Sequence, residues 1–180
     1  NPKARFSDGS AVTAQDVKFS FDAYQTKSNP GLQMYLADLD KTEVLSKYVV
    51  KMSFKSDKNS EMPLILSQMP IYSKKDWQHK DFTRVTLQPI LGSGPYLIDR
   101  IDAGRSITYK LNPNYWGKDL AVNKGRYNFA RLKYVYYRSL DIAFEGFKSG
   151  QYTLHEEMTA RKWVTEYNFP AVNTGMVVKY

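Results

Sequence analysis

At 180 residues, with 42% hydrophobic and 14% aromatic content, the chain can build one sizeable core or two small ones and is too apolar for disorder. It has no cysteine, which excludes disulfides, thiolate catalysis and thiolate metal sites. The net charge of +8 is spread along the chain, with 13 Lys/Arg against 10 Asp/Glu in residues 1–90 and 13 against 8 in residues 91–180. No apolar run approaches the roughly 20 residues that a membrane-spanning helix needs. The chain opens Asn-Pro-Lys rather than on Met, with no signal peptide, and is expected to be processed or cut.

Phe6-Ser7-Asp8-Gly9 reads as a turn, with Gly9 suited to positive φ. Thr13 is a natural N-cap, and Asp16 three residues on supplies a short form of the capping box. Ala14, Val17, Phe21 and Tyr24 recur at helical spacing, predicting a helix that ends before Asn29-Pro30-Gly31. Leu32–Leu45 is a weaker region, a short helix or loop holding Met34, Tyr35 and Leu36. Lys47–Lys55 then alternates, with Tyr48, Val50, Met52 and Phe54 on one side, as in a half-exposed antiparallel strand. Leu64-Ile65-Leu66 with Met69 predicts a helical turn stopped by Pro70.

The stretch from Leu91 to Gly117 organises the rest. Gly92 and Gly94 are expected to supply positive φ, and Pro95 sets the exit of the chain. Tyr96–Ile101 and Ser106–Leu111 predict a hairpin around Ala103-Gly104, with Ile107, Tyr109 and Leu111 on one face. Asn112-Pro113-Asn114 ends the second strand, and Tyr115-Trp116 marks where the chain turns away. Gly117–Asn128 has no period and reads as a long loop, functional or tied down by a partner segment.

Ala130–Arg138 is strand-like. Ser139 or Asp141 can cap a helix carrying Leu140, Phe144 and Phe147, stopped at Gly150. Gln151–Glu157 returns to strand, and Thr159 can cap a short helix through Trp163. Strand, helix and strand between Leu132 and Leu154 predict a parallel, right-handed βαβ unit. The expected fold class is mixed α/β (α+β). Residues 1–90 would form a helix-plus-antiparallel-strand subdomain, and residues 91–180 the central hairpin and the βαβ part.

Little here points to catalysis. His79 and His155 are the only histidines. His155 and Glu157 share a strand face, but no third ligand stands at useful spacing for a metal. Gly92-Ser93-Gly94 precedes a strand and lacks the spacing of a nucleophile elbow. No phosphate-binding glycine loop and no H-E-x-x-H helix occurs. Leu132–Arg138 mixes basic and aromatic residues as single-strand nucleic-acid binders do, yet the pattern equally fits a core strand and no basic stripe accompanies it. The expectation is a binding protein rather than an enzyme, without cofactor or resident metal and without nucleic acid as partner.

Three ordered stretches carry a family resemblance: FSDGSAVTAQDVKFSFDAY, GSGPYLI with NPNYWG, and LDIAFEGFKSGQYTL. Together they resemble the bacterial extracellular solute-binding proteins of family 5, the peptide-capturing components of ABC importers. GKDLAVNKGRYNFARLKYVYYR and NFPAV are most similar to the branch for longer peptides and microcin C. The resemblance implies a type II periplasmic-binding-protein fold, of which this chain is an inner part of the first lobe, the second lobe being absent. It implies a peptide ligand, a membrane permease as partner, a monomer, and a periplasmic or lipid-anchored location. Related proteins take nickel complexes, haem or oligosaccharides, so those cargoes are the alternatives. By the same analogy Tyr35 borders the cleft and Glu157 lies near its edge, where a carboxylate could pair with a peptide's amino terminus or a basic side chain. Gly92, Gly94, Pro95, Tyr96 and Trp116 are expected to be structural or hinge residues. Thr153 stands where the family usually has Asp, so one charge expected near the hinge is missing.

Overall fold

The computed structural model describes residues 1–84 and 86–180. Two compact units emerge, one made of Asn1–Ile101 with Thr108–Leu132 and the other of Asp102–Ile107 with Lys133–Tyr180.

In the first unit, helix α1 spans Ala14–Lys27. Its start is fixed by Asp16, whose Oδ2 accepts the Thr13 N–H at 2.8 Å and the Thr13 hydroxyl at 2.7 Å. The expected inner stripe holds, with Ala14, Phe21 and Tyr24 buried. Helix α2, Pro30–Tyr35, has Pro at its first position and Asn29 as N-cap, accepting the Leu32 N–H at 3.0 Å. Strands β1, Leu39–Ser46, and β2, Val49–Phe54, pair antiparallel with Leu39 opposite Phe54 and Thr42 opposite Met52. Helix α3, Met62–Gln68, turns Met62 and Leu66 inward, one turn apart, and leaves Leu64 exposed. The expected helical turn stopped before Pro70 is thus formed, starting earlier at Met62, with Leu66 the inward-facing residue of the Leu64–Leu66 run. The core is Phe21, Tyr24, Leu36, Leu39, Met62 and Leu66, with Met52 and Phe54 packed against it.

Beyond Pro70 the chain lies along α1 and then enters a four-residue helix, α4, Lys74–Trp77. Three polar residues on α1 hold it there. Asp16 Oδ1 accepts the Lys74 N–H at 2.9 Å, Ser20 Oγ accepts the Tyr72 N–H at 2.8 Å, and Tyr24 donates its hydroxyl to the Pro70 carbonyl at 2.7 Å. Four residues of helix rise about 6 Å, close to two residues of extended chain, so every helical turn meets every second residue.

Strands β3, Tyr96–Asp102, and β4, Ser106–Leu111, form the expected hairpin, and β5, Arg131–Val135, follows in the order β3–β4–β5. Gly104, at φ +73°, makes the tight turn in which the Arg105 N–H donates to the Asp102 carbonyl at 2.9 Å. Leu111 N–H donates to the Ala130 carbonyl and Tyr136 N–H to the Arg105 carbonyl, so β5 runs antiparallel to β4. The 117–128 loop contains a 3-10 turn at Ala121–Asn123 and is tied back by the Asn123 amide, which donates to the Gly117 carbonyl at 2.8 Å.

In the second unit, helix α5 spans Leu140–Lys148; Ser139 caps it, accepting the Ile142 N–H at 3.3 Å, and Gly150 follows its C-cap at φ +75°. Short helices α6, Ala160–Thr165, and α7, Pro170–Asn173, complete the unit around Phe144, Phe147 and Tyr167. Leu140 falls outside this core and is exposed. The expected second strand of a βαβ unit is not formed: residues 151–157 make no strand. Tyr152 and His155 instead pack on α5, with the Tyr152 hydroxyl donating to the Ala143 carbonyl at 2.7 Å and the His155 ring against Phe147.

Candidate functional site

The first unit draws the sequence motifs into one knot. Trp116 Nε1 donates to the Ser93 carbonyl at 3.0 Å and to Ser93 Oγ at 2.9 Å. Ser93 Oγ passes its own hydrogen to the Arg5 carbonyl at 2.8 Å, and the Ser7 N–H donates to the Gly92 carbonyl at 2.8 Å. Asn112 N–H reaches the Pro95 carbonyl at 2.8 Å, and the Tyr96 hydroxyl reaches the Phe129 carbonyl at 2.8 Å. The FSDG turn, the GSGPY turn and the NPNYW stop are thus one hydrogen-bonded assembly. Gly92 and Gly94 do not adopt positive φ, contrary to expectation, and a Cβ built on either meets nothing within 4 Å. The turn is held by the Ser93 hydroxyl and the Trp116 indole rather than by glycine geometry. The place of Ser93 two residues before Pro95 carries no sequence signal for this part-buried acceptor role.

Tyr35 closes α2 with its ring 50% exposed, beside the exposed Met34. The next residue, Leu36, is fully buried, so the chain direction at the helix end is fixed while the Tyr35 ring faces outward.

In the second unit, Glu157 is tightly engaged. Its side chain is 7% exposed. Oε1 accepts the Thr159 N–H at 2.7 Å, while Oε2 lies 3.5 Å from the Tyr167 hydroxyl and 3.7 Å from His155 Nε2. Desolvation works to raise this carboxyl, but the Thr159 bonds, Lys162 and His155 outweigh it and hold it below the usual range. Burial first, then the neighbouring carboxylate, pushes the Tyr167 phenol up to about 12. His155 Nδ1 is 2.7 Å from the Tyr152 hydroxyl, and its ring stacks on Phe147 with centroids 5.3 Å apart. The exposed carboxylate of the pair is its neighbour Glu156. Among the described residues no group of three or more His, Asp or Glu could hold a metal ion. No helix among them is long and apolar enough to cross a membrane.

Residues 1–179 match the family described as bacterial extracellular solute-binding proteins, family 5 Middle. A protein of Agrobacterium fabrum named probable peptide-binding protein YejA is 38% identical, over 98% of this chain and 30% of its own length. A second protein of that organism, named peptidoglycan-binding protein YepA, is 36% identical over 99% of this chain and 30% of its own. Among solved structures, a mannohexaose-bound periplasmic oligopeptide-binding protein of an ABC transporter from Thermotoga maritima superposes with a TM-score of 0.68. It is 23% identical, and the match covers 84% of this chain and 28% of that one, placing the chain in the type II periplasmic-binding-protein fold. The chain thus spans about 30% of the length of the relatives it matches. With the family matched from end to end and the fold in agreement, the chain belongs to the bacterial extracellular solute-binding proteins of family 5.

Proposed function

We propose that the chain is part of the first lobe of a periplasmic substrate-binding protein that captures peptides and delivers them to the membrane permease of an ABC importer. The observation that carries this reading is the 38% identity, across nearly the whole chain, to a relative named as peptide-binding. The Thermotoga protein supplies the link to an ABC transporter and to the periplasm. In this reading the protein binds and releases its ligand unchanged.

Within the chain, the exposed Tyr35 ring lies along the bound ligand, since an aromatic face with a polar edge suits both the peptide plane and apolar side chains. Glu157 acts through position: its oxygens are committed to Thr159, Tyr167 and His155, and it holds the 151–159 segment in place. Gly92, Gly94, Pro95, Tyr96 and Trp116 serve as a structural knot of the first unit.

A second reading, favoured by the relative named as peptidoglycan-binding, takes a peptide joined to a sugar as cargo. Native mass spectrometry of the full-length protein, followed by calorimetry with defined peptides, separates the two. Co-purified linear peptides and saturable binding support the first; a muramyl peptide supports the second. A metal complex or a purely saccharide cargo, with no heat from any peptide, overturns both.

A further inference from the structure

The first unit holds a small pocket that the reading above does not use. It is formed by the chain as it leaves α4, measures about 320 Å³, and has Trp77, Arg84, Gln88, Pro89 and Ile90 among its walls. Trp77 is 8% exposed, and its ring packs against Tyr72 and Phe82 with centroids 5.0 and 4.6 Å away. Its Nε1 is buried and has no hydrogen-bond partner. Trp116, the other indole of this unit, spends its N–H twice on Ser93, so the fold does satisfy an indole where the contact is structural. A buried donor without an acceptor is costly and rare. In the wall of a pocket it marks the place of a bound acceptor.

The rest of the wall selects the chemistry of that acceptor. Lys80 and Arg84 stand against Asp81, which leaves a single positive charge in excess. Lys80 is already engaged by Asp76 at 2.7 Å. The Arg84 side chain, 84% exposed, meets Asp81 only through Nε at 3.4 Å, so among the described residues the terminal nitrogens of its guanidinium have no partner. That planar fork suits the two oxygens of a carboxylate. A dianion such as inorganic phosphate would bring a second charge towards Asp81 with Lys80 already taken. Pro89 and Ile90 add apolar surface beside the fork. We infer that this pocket binds a carboxylate carried on a compact apolar body, with the Arg84 fork and the Trp77 N–H holding its oxygens. A free carboxylic acid and the C-terminal residue of a peptide offer the same group. The site stands whether or not the protein carries peptides.

Calorimetry on the full-length protein tests this with N-acetyl-leucine, a carboxylate on a branched apolar body. Saturable one-to-one binding with a Kd of about 1 mM or tighter is expected of a ligand this small. N-acetyl-leucinamide, which lacks the charge, should bind at least about 10-fold more weakly. Arg84→Gln, at an exposed position, should weaken the acid at least about 5-fold, and so should Trp77→Phe, which keeps a ring without the N–H. Two arms identify the source. If amidating the C-terminus of a bound peptide weakens it and N-acetyl-leucine competes with that peptide, the pocket takes the peptide's last residue. If amidation changes nothing and the two bind together, it takes a free acid. The proposal is overturned if N-acetyl-leucine gives no saturable heat up to about 10 mM, which leaves the indole to water. It is equally overturned if the amide binds as well as the acid, or if Arg84→Gln or a folded Trp77→Phe binds as tightly as the wild type. Peptide affinity measured on the same protein reports separately on the proposed function.

Discussion

The side-chain carboxylate of Asp16 accepts the backbone N–H of Lys74 at 2.9 Å across 58 residues of sequence, while its other oxygen caps the helix on which it sits. One buried acid therefore starts α1 and docks the chain that runs beside it. Ser20 and Tyr24, one and two turns further on, continue the same seam to Tyr72 and Pro70.

Replacing Asp16 with Ala should cost about 2–4 kcal/mol, the sum of a lost capping-box carboxylate and of part-buried donors left without an acceptor. Denaturant unfolding measures it. Asp22→Ala, which removes only the exposed Lys18–Asp22 pair at 2.9 Å, should change stability by less than about 0.5 kcal/mol. Equal effects of the two substitutions would refute the role given to Asp16.

The Trp116–Ser93 contact makes a second, independent forecast. Trp116→Phe keeps a ring but removes the indole N–H that reaches Ser93 twice. Ser93→Ala removes the hydroxyl that bridges Trp116 to the Arg5 carbonyl. Each should destabilise by about 1–2 kcal/mol, and the double variant should cost less than the sum, with a coupling of at least about 0.5 kcal/mol. Strict additivity would mean that the knot is three separate contacts.

Much of this was legible in the sequence because local chemistry and tertiary packing agree there. The α1 stripe, the 96–111 hairpin, the Ser139 cap and the Gly150 stop each follow from a residue whose preference is satisfied in place. Strand β1 was not legible, because only Leu39 and Thr42 are buried on it and, apart from the half-buried Val44, its remaining positions carry charged or exposed side chains. It is a strand through its pairing with β2. Residues 151–157 fail in the opposite sense: their pattern is a strand's, but a strand needs a ladder and none reaches them among the described residues. At the candidate site, spacing could show that Tyr35 and Glu157 were aromatic and acidic. It could not show that Tyr35 would stay half in water while Glu157 would be spent on Thr159, Tyr167 and His155.

The Glu157–Tyr167 pair contributes to the pH response of the second unit at both ends of the scale. The Glu157 carboxyl is held below its usual range, so its contribution is complete at neutral pH and is lost as acid carries the pH down through the folded-state value. Tyr167 is pushed up to about 12, above the ordinary phenol value of about 10. Its contribution is complete below about 10 and is lost as the pH rises towards about 12, where the unfolded chain has already released its proton. Urea midpoints measured from pH 3 to 12 should fall at both ends, and Tyr167→Phe, which keeps the ring, should flatten the alkaline fall. An unchanged alkaline limb in that variant would assign the loss to other tyrosines.

Tyr35 is the residue whose substitution bears most directly on the proposed function. Its ring is half exposed and the fold is anchored beside it by Leu36, so truncation should leave stability within about 0.5 kcal/mol. If the ring lies along a bound peptide, Tyr35→Ala in the full-length protein should weaken peptide binding about 5- to 10-fold, the order of an aromatic contact worth about 1 kcal/mol. Tyr35→Phe should recover most of the loss where the ring face carries the contact and little of it where the hydroxyl does. Calorimetry on the three proteins, with thermal unfolding run alongside, gives both numbers. Unchanged affinity in Tyr35→Ala would remove Tyr35 from the site and leave the family membership untouched, because that rests on the whole of residues 1–179 and not on this side chain.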